Sequence, residues 1–144
     1  MKVNYNEVDP RMYNKNKFTR KRAAESPTVT EATLLMAMVD ENCLVQYAAV
    51  ENSKATEVVK NLALKSKDAG IRRSLAYNRG ASFEHLRTLI KDKDDNVRRE
   101  VAVNPCSPED VLILALGDKN ERVRYGAFVN DSATSSVLEV ALER

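Results

Sequence analysis

The chain of 144 residues contains few cysteine, glycine and proline residues, and each shortage excludes a class of protein. Two cysteines, Cys43 and Cys106, do not make a disulfide framework, so a reducing cytoplasm is the expected location. Four glycines and four prolines exclude collagen-like and linker-rich chains. The longest apolar runs, residues 34–39 and 111–116, are far shorter than the roughly 20 residues that span a bilayer. We therefore expect no membrane association.

Charge is unevenly distributed, although the formal net charge is only +2. Residues 1–24 carry seven basic and only two acidic side chains. Such a segment can attract nucleic acid or an acidic protein, or it can be a solvated chain end. Residues 1–18 are accordingly predicted to form either a basic arm or an N-terminal cap. The apolar side chains available for a cap are Val3, Tyr5, Val8, Met12, Tyr13 and Phe18.

The strongest pattern in the sequence is a repeat of 26 residues. Asparagine recurs at this interval, and the residues between align without gaps. The asparagines are Asn52, Asn78, Asn104 and Asn130. The alignment defines five copies, of which the first is weaker and the last is cut short: 19–44, 45–70, 71–96, 97–122 and 123–144. Numbered within a copy, the asparagine stands at position 8.

Each copy is predicted to contain two helices. An Asx residue at position 24 can cap the first helix of the following copy: Asn42, Asp68, Asp94 and Asn120. The second helix has its expected cap at position 12: Thr30, Thr56, Ser82 and Thr134. In the fourth copy we expect Ser107 to be the cap, with Pro108 in the first turn. The asparagine at position 8 predicts a left-handed exit from the first helix.

Apolar residues recur at positions 5, 6, 19 and 20, a spacing that predicts an inward stripe on each helix. Position 5, for example, holds Ala23, Ala49, Leu75, Val101 and Ala127. A pair of helices of this length cannot bury its apolar face alone, so successive copies must stack. The sequence therefore predicts an all-α fold: a short α-solenoid of about five 26-residue two-helix repeats with one continuous core.

Residues 97–105 read VRREVAVNP and are followed by SPEDVLILALGDKNERVR. This segment closely resembles the leucine-rich repeat variant family, a HEAT-like helical repeat, and the resemblance covers about residues 19–144. It implies a helical-repeat fold that serves as a binding scaffold. The Cys-rich segment of the iron–sulfur members has no counterpart here, so no cofactor is expected. A more distant likeness to HEAT-like alkylpurine DNA glycosylases implies no activity, because the chain has no Trp and no matching catalytic Asp context.

Arginine is frequent at position 2 and aspartate at position 22. The predicted structural ladder consists of Arg72, Arg98, Arg124, Asp92 and Asp118. We expect Asp92 to pair with Arg98 and Asp118 to pair with Arg124, because the forked guanidinium suits partners that are fixed in space. The same arginines can bind free carbonyls at helix ends.

Position 3 is basic or aromatic and lacks an acidic partner at a fixed offset. With its neighbours it forms the candidate binding surface: Arg20, Lys21, Arg22, Tyr47, Arg73, Tyr77, Arg99 and Tyr125. A row of basic side chains with interleaved tyrosines can follow phosphates and stack on bases. It can equally be an ordinary solvated face.

The remaining candidate residues give little support to catalysis. Phe83 and Ile113 on the second helices can anchor a partner or fill gaps between copies. His85 is the only histidine and is expected to pack in a semi-buried site. No residue pattern indicates a metal site, a thiol nucleophile or catalytic residues.

These observations predict a non-enzymatic helical-repeat protein that acts as a protein-binding adaptor or scaffold. Its partner is then another protein, and no cofactor is expected. The alternative is a nucleic-acid-binding protein that uses the candidate binding surface and the basic N-terminal arm. The oligomeric state is left open by the sequence.

Overall fold

The computed structural model describes residues 2–143, and this part of the chain is entirely helical, without a strand. Two short 3-10 helices, Tyr5–Glu7 and Pro10–Tyr13, precede the α-helices. The α-helices are α1 (Lys17–Ala24), α2 (Glu31–Met38), α3 (Cys43–Glu51), α4 (Glu57–Leu64), α5 (Ala69–Tyr77), α6 (Phe83–Leu89), α7 (Asp95–Val103), α8 (Glu109–Leu116), α9 (Glu121–Phe128) and α10 (Ser135–Leu142). The predicted all-α class is confirmed.

The helix positions follow the sequence period. Odd-numbered helices begin at residues 17, 43, 69, 95 and 121, and even-numbered helices begin at residues 31, 57, 83, 109 and 135. Both series advance by 26 residues, so each predicted copy contributes one short first helix and one short second helix. The single continuous solenoid core stays a prediction.

The helices begin where the capping residues predict. The side chains of Asn42, Asp68, Asp94 and Asn120 each accept a hydrogen bond from the backbone N–H two residues later. Thr30, Thr56, Ser82 and Thr134 accept from the N–H three residues later and start the second helices. Asn16 caps α1 in the same way and extends the series one period upstream. These bonds satisfy donors that the first helical turn leaves free.

The fourth copy departs from the predicted cap. Pro108, not Ser107, is the N-cap of α8, and no side chain caps this helix. The Ser107 hydroxyl is buried and donates to the carbonyl of Val101 at 2.6 Å. The prediction for Ser107 was wrong, because its hydroxyl is directed to this carbonyl of α7 and accepts no bond from the first turn of α8.

The helices fall into two compact units, Met1–Asn78 and Arg79–Arg144, which we call the N-terminal unit and the C-terminal unit. The core of the N-terminal unit is built around Leu34, Val45 and Val59, which have no exposed surface. In the C-terminal unit, Leu86 and Leu112 are equally buried. All five residues at position 5 are fully buried, as their apolar spacing predicts: Ala23, Ala49, Leu75, Val101 and Ala127.

The segment before α1 packs onto the N-terminal unit. Val8 and Met12 are buried in the same cluster as α1 and α2. The backbone N–H of Asp9 donates to Thr33 Oγ1 at 2.9 Å, and Thr30 Oγ1 donates to the carbonyl of Glu7 at 2.6 Å. Tyr5, Tyr13 and Phe18, also named for a cap, remain mostly exposed. Val3 is partly buried against the same cluster, so the cap depends on Val3, Val8 and Met12 and not on the aromatic side chains.

Asn52, Asn78 and Asn104 end their first helices in an extended conformation. No non-glycine residue between positions 2 and 143 has a positive φ, so the predicted left-handed exit was wrong. Instead, the Asn52 amide donates to the carbonyls of Ala24 at 2.7 Å and Ser26 at 3.1 Å. Asn130 repeats this contact with Ala102 and Asn104, at 2.7 and 2.9 Å. Asn52 and Asn130 thus each fasten the end of one first helix to the end of the preceding first helix.

We predict that Asn52→Ala lowers the free energy of unfolding by about 1–3 kcal/mol, because it leaves buried carbonyls without a donor. The substitution also removes the bond from the backbone N–H of Lys54 to Asn52 Oδ1 at 2.8 Å. Urea unfolding followed by circular dichroism measures the loss. Ser53→Ala, at an exposed neighbouring position, is the matched control and should change stability by less than about 0.5 kcal/mol. Equal effects of the two substitutions would contradict the prediction.

Candidate interaction surfaces

Three of the arginines at position 2, Arg20, Arg72 and Arg98, are buried, whereas Arg124 is exposed. In the C-terminal unit, Arg98 donates through Nη1 to the carbonyl of Asp92 at 2.8 Å. Its Nε and Nη2 donate to the two carboxylate oxygens of Asp118, at 2.7 and 3.0 Å. In the N-terminal unit, Arg20 binds Asp40 with the same two atoms, at 2.6 and 3.0 Å. The guanidinium therefore joins the loop before its own helix to the loop that begins the next copy.

The carboxylate partner differs from the predicted one. Arg98 pairs with Asp118, which lies 20 residues later, and not with Asp92, which lies six residues earlier. Arg124 does not pair with the Asp118 carboxylate either; its Nη1 donates to the carbonyls of Asp118 and Lys119, at 2.7 and 3.1 Å. Arg72 Nη1 donates to the carbonyls of Ser66 and Lys67 in the same way. The predicted carbonyl contacts are therefore present, whereas the predicted carboxylate pairs are wrong.

Two opposing effects set the pKa of each buried carboxylate. Burial raises the pKa of Asp118, but the hydrogen bonds from Arg98 and from the backbone N–H of Asn120 outweigh it and hold the pKa below its usual value. Burial likewise opposes ionisation of Asp40, and the bonds from Arg20 and from the N–H of Asn42 bring its pKa below the usual value. Both side chains are thus ionised at neutral pH.

Arg20 does not belong to the candidate binding surface, because it is buried and binds Asp40. The same pairing reduces the charge of the N-terminal segment. Arg11 forms an ion pair with Asp9 at 2.6 Å, and Lys21 forms one with Glu25. Three of the seven basic residues in positions 1–24 therefore have an acidic partner.

The other members of the candidate surface differ in accessibility. Tyr47 is half-buried, and its hydroxyl lies against Gly70, where a Cβ would force the tyrosine side chain to shift. Burial raises the pKa of Tyr47, and the nearby Asp68 carboxylate raises it further. The exposed members are Arg22, Arg73, Tyr77, Arg99 and Tyr125.

In the C-terminal unit, two members of the candidate surface line one groove. Arg99 of α7 and Tyr125 of α9 line an open groove of about 680 Å³ together with Asn96, Glu121 and Arg122. Gly126 allows the close approach of the two helices, because a Cβ there would lie 2.9 Å from Val103 Cγ1. Tyr125 is 67% exposed, so most of its ring is available to a partner. We call this the α7–α9 groove.

The second helices of the C-terminal unit present another exposed aromatic side chain. Phe83 lies beneath the Arg87 guanidinium, 5.9 Å from its carbon to the ring centre. Arg87 also pairs with Glu84 at 2.8 Å and Asp110 at 2.7 Å. This network covers part of the Phe83 ring, whereas Ile113 is half-buried. Neither Phe83 nor Ile113 is therefore fully accessible to a binding partner.

Sequence reasoning missed one cluster of lysines. Lys91, Lys93 and Lys119 line a shallow groove of about 450 Å³ beside the Arg98–Asp118 pair. They belong to loops before first helices, at repeat positions 21 and 23. The recurrence of basic residues at these two positions was the signal that could have revealed the cluster.

The histidine that was considered for catalysis has a structural role. His85 is buried, and its Nδ1 accepts the backbone N–H of Ser82 at 3.1 Å, which closes a capping box at the start of α6. Cys43 and Cys106 are free thiols. Within residues 2–143, no group of three or more His, Cys, Asp or Glu side chains is placed to hold a metal ion. In the same range, no helix combines the length and the apolar composition required to cross a bilayer.

Comparison with protein-family models and with curated protein sequences finds no match for this chain.

We predict that Asp118→Asn lowers the free energy of unfolding by about 2–3 kcal/mol at pH 7, because Arg98 loses a buried anionic partner. The lowered pKa of Asp118 means that its ion pair stabilises the fold above about pH 4, the ordinary aspartate value. This contribution is lost as the pH falls through the folded-state pKa. The difference between wild type and variant should therefore shrink in acid, as measured by urea unfolding between pH 7 and 3. Asp131→Asn, at an exposed site, is the control, and a difference independent of pH would contradict the prediction.

Proposed function

We propose that the protein is a non-enzymatic adaptor of the leucine-rich repeat variant type that binds a segment of another protein in the α7–α9 groove. The observation that carries this proposal is the mixed lining of the groove. Arg99 and Arg122 offer cationic donors, Glu121 offers an acceptor, and Tyr125 offers an exposed ring. This combination suits a peptide that carries an acidic and an apolar side chain, because aromatic and arginine side chains often dominate binding energy at protein interfaces.

Apolar side chains extend the same face. Val103 and Val129 lie four residues after Arg99 and Tyr125, on the same side of α7 and at the end of α9. Both valines are partly exposed. They add an apolar margin to the groove, which favours a polypeptide over a wholly polar ligand.

The local charge balance favours a peptide over a nucleic acid. Glu121 shares the lining with the two arginines, so a phosphate backbone following the groove would also meet a carboxylate. A polyanion gains affinity from many cationic contacts along its length, and the α7–α9 groove offers two. The lysine cluster beside Arg98 and Asp118 is the observation that favours nucleic acid as a second candidate.

The proposal includes a cytoplasmic location. Cys43 is an exposed free thiol and Cys106 is a half-buried one, and such thiols persist most readily in a reducing compartment. His85, the single histidine, is buried with Nδ1 engaged by backbone, which supports a role other than catalysis.

The test selects peptides from a random display library against the full chain and measures their affinity by calorimetry. We expect the selected peptides to combine an acidic with an aromatic or aliphatic residue. Arg99→Glu should weaken binding at least tenfold through charge repulsion, and Tyr125→Ala should weaken it through lost contact area. Arg79→Glu, in the exposed loop after α5, is the matched control and should bind like wild type.

Labelled duplex and single-stranded oligonucleotides in a salt series test the second candidate. The adaptor proposal expects no binding that falls steeply with salt. It would be overturned by steep salt-dependent binding that is lost in a folded Arg73→Glu, Arg99→Glu variant. Peptides that bind the Arg99→Glu and Tyr125→Ala variants as well as wild type would also overturn it.

A further inference from the structure

Three lysines of the C-terminal unit surround one groove, and the fold leaves their ammonium groups unpaired. The shallow groove of about 450 Å³ is lined by the exposed side chains of Lys91, Lys93 and Lys119. Among residues 2–143, none of these three ammonium groups forms a hydrogen bond or an ion pair. We call this the lysine groove.

The acidic side chains in the same lining are directed into the protein. The Asp118 side chain is 9% exposed, and both of its carboxylate oxygens bind Arg98. Asp92 is half-buried, and its Oδ1 accepts the backbone N–H of Asp94 at 2.9 Å. Lys119 is near enough to Asp118 to stabilise its charge but forms no ion pair with it. Because the acids are engaged and the lysines are exposed, the accessible surface of the lysine groove is positive.

The order of residues in the loops explains this separation of charge. Residues 91–93 read Lys-Asp-Lys, and residues 118–119 read Asp-Lys. Each aspartate accepts the backbone N–H two residues later, which turns its carboxylate towards its own loop. The neighbouring lysines are left on the solvent side. The same loop geometry that holds Arg98 therefore exposes the cations.

The lysine groove adjoins the α7–α9 groove, because both lie at the starts of α7 and α9. Lys93 precedes Asn96 by three residues, and Lys119 precedes Arg122 by three residues. Three residues separate two Cα atoms by at most about 11 Å. A polypeptide seated in the α7–α9 groove therefore reaches the lysines with a few more extended residues.

Two carboxylates lie where the grooves meet. Asp95 accepts a hydrogen bond from the side-chain amide of Asn120, which places this carboxylate between the starts of α7 and α9. Glu121 belongs to the lining of the α7–α9 groove. Any ligand that spans both grooves passes these acids, and it avoids repulsion only if it is uncharged there.

We propose that the polypeptide bound in the α7–α9 groove also carries a run of aspartate or glutamate residues, which binds Lys91, Lys93 and Lys119 in the lysine groove. This inference rests on the proposed function, since it describes a second part of the same partner. A few uncharged residues separate the acidic run from the part that occupies the α7–α9 groove.

The surroundings of the lysines favour an acidic polypeptide over a nucleic acid. Lysines by themselves suit both, but a phosphate backbone carries a charge at every nucleotide and would meet Asp95 and Glu121 as it crossed from one groove to the other. A polypeptide can place neutral residues at that point. None of the described residues that line the lysine groove is aromatic, so the groove offers no ring on which a base could stack.

The lysine groove is tested by itself with an acetylated and amidated octaglutamate peptide. The peptide is titrated into the isotopically labelled full chain at about 50 mM salt and followed by NMR. We expect saturable shifts of the backbone amides of residues 91–93 and 118–119, and no such shifts with octaglutamine. Exposed ion pairs are weak and screened by salt, so the shifts should disappear at about 500 mM salt.

The variant that combines Lys91→Gln, Lys93→Gln and Lys119→Gln should bind octaglutamate about tenfold more weakly, because it lacks three ion-pair partners. The matched control loses the same net charge and should bind like wild type. It carries the lysine-to-glutamine substitution at three exposed positions outside the groove: Lys2, Lys15 and Lys54. Circular dichroism verifies that both variants fold.

A second titration joins the two grooves. A peptide selected for the α7–α9 groove is extended, at either end, by a short glycine spacer and four glutamates or four glutamines. On wild type, we expect the glutamate extension at one of the ends to bind about tenfold more tightly than the glutamine extension. On the variant without the three lysines, the two extensions should bind equally.

Four results would overturn the inference. The first is the absence of octaglutamate shifts at the lysine groove while groove peptides still bind, which leaves the proposed function intact. The second is equal weakening by the control variant, which would show that net charge alone attracts the peptide. The third is tighter binding of a single-stranded oligonucleotide of equal charge at the same amides, which would assign the groove to nucleic acid. Failure to select any peptide for the α7–α9 groove would overturn this inference and the proposed function together.

Discussion

The packing of successive helix pairs depends on one interaction, the buried guanidinium at position 2. Arg98 holds two carbonyls of the preceding loop and both carboxylate oxygens of Asp118. A buried ion pair contributes little net stability compared with a well-packed apolar residue, because both charges lose their hydration. Its value here is geometric: a planar fork with all of these acceptors fixed allows only one position for the following loop. Arg20 imposes the same constraint in the N-terminal unit. The ion pair thus fixes the position of one helix pair relative to the next, and burial of the apolar stripe supplies the favourable free energy of folding.

Close approach of neighbouring first helices is the second requirement, and small side chains and asparagine meet it together. Ala102 is fully buried against the surface where Gly126 lies, so the backbones come near enough for Asn130 to reach the carbonyls of Ala102 and Asn104. A larger side chain would separate the helices and break this bond. The asparagine in turn supplies donors to carbonyls that a short helix leaves free at its end. Helices of seven to nine residues are marginal in isolation, and these bonds explain how such short elements persist.

The sequence was sufficient for the elements that depend on local interactions. Helix starts follow from caps such as Asn42 and Asp94, whose side chains bond within three residues. The partner of Arg98 was not predictable, because Asp92 and Asp118 occupy the same position in adjacent copies, so a periodic sequence offers both without distinction. Ser107 and Asn52 were assigned local roles, as cap and as left-handed exit, since those are their usual preferences. In the fold, Asn52 binds carbonyls 28 and 26 residues earlier, which come near only once the copies are packed. The Ser107 hydroxyl instead binds the carbonyl of Val101 in the last turn of α7.

The count of basic residues in positions 1–24 also overestimated the positive charge that this segment presents at the surface. The excess of basic residues in positions 1–24 was compatible with attraction to nucleic acid or an acidic protein and with a solvated chain end, but the fold pairs Arg11 with Asp9, Lys21 with Glu25 and Arg20 with Asp40. Two of these acids, Glu25 and Asp40, lie outside positions 1–24, so the count of charges in that segment did not include them. The α7–α9 groove follows the same rule, since Arg99 pairs with Glu100 at 3.4 Å and Glu121 is part of the same lining. A repeat that places acids beside bases in every copy produces mixed surfaces, and mixed surfaces discriminate between peptides better than they attract phosphate backbones.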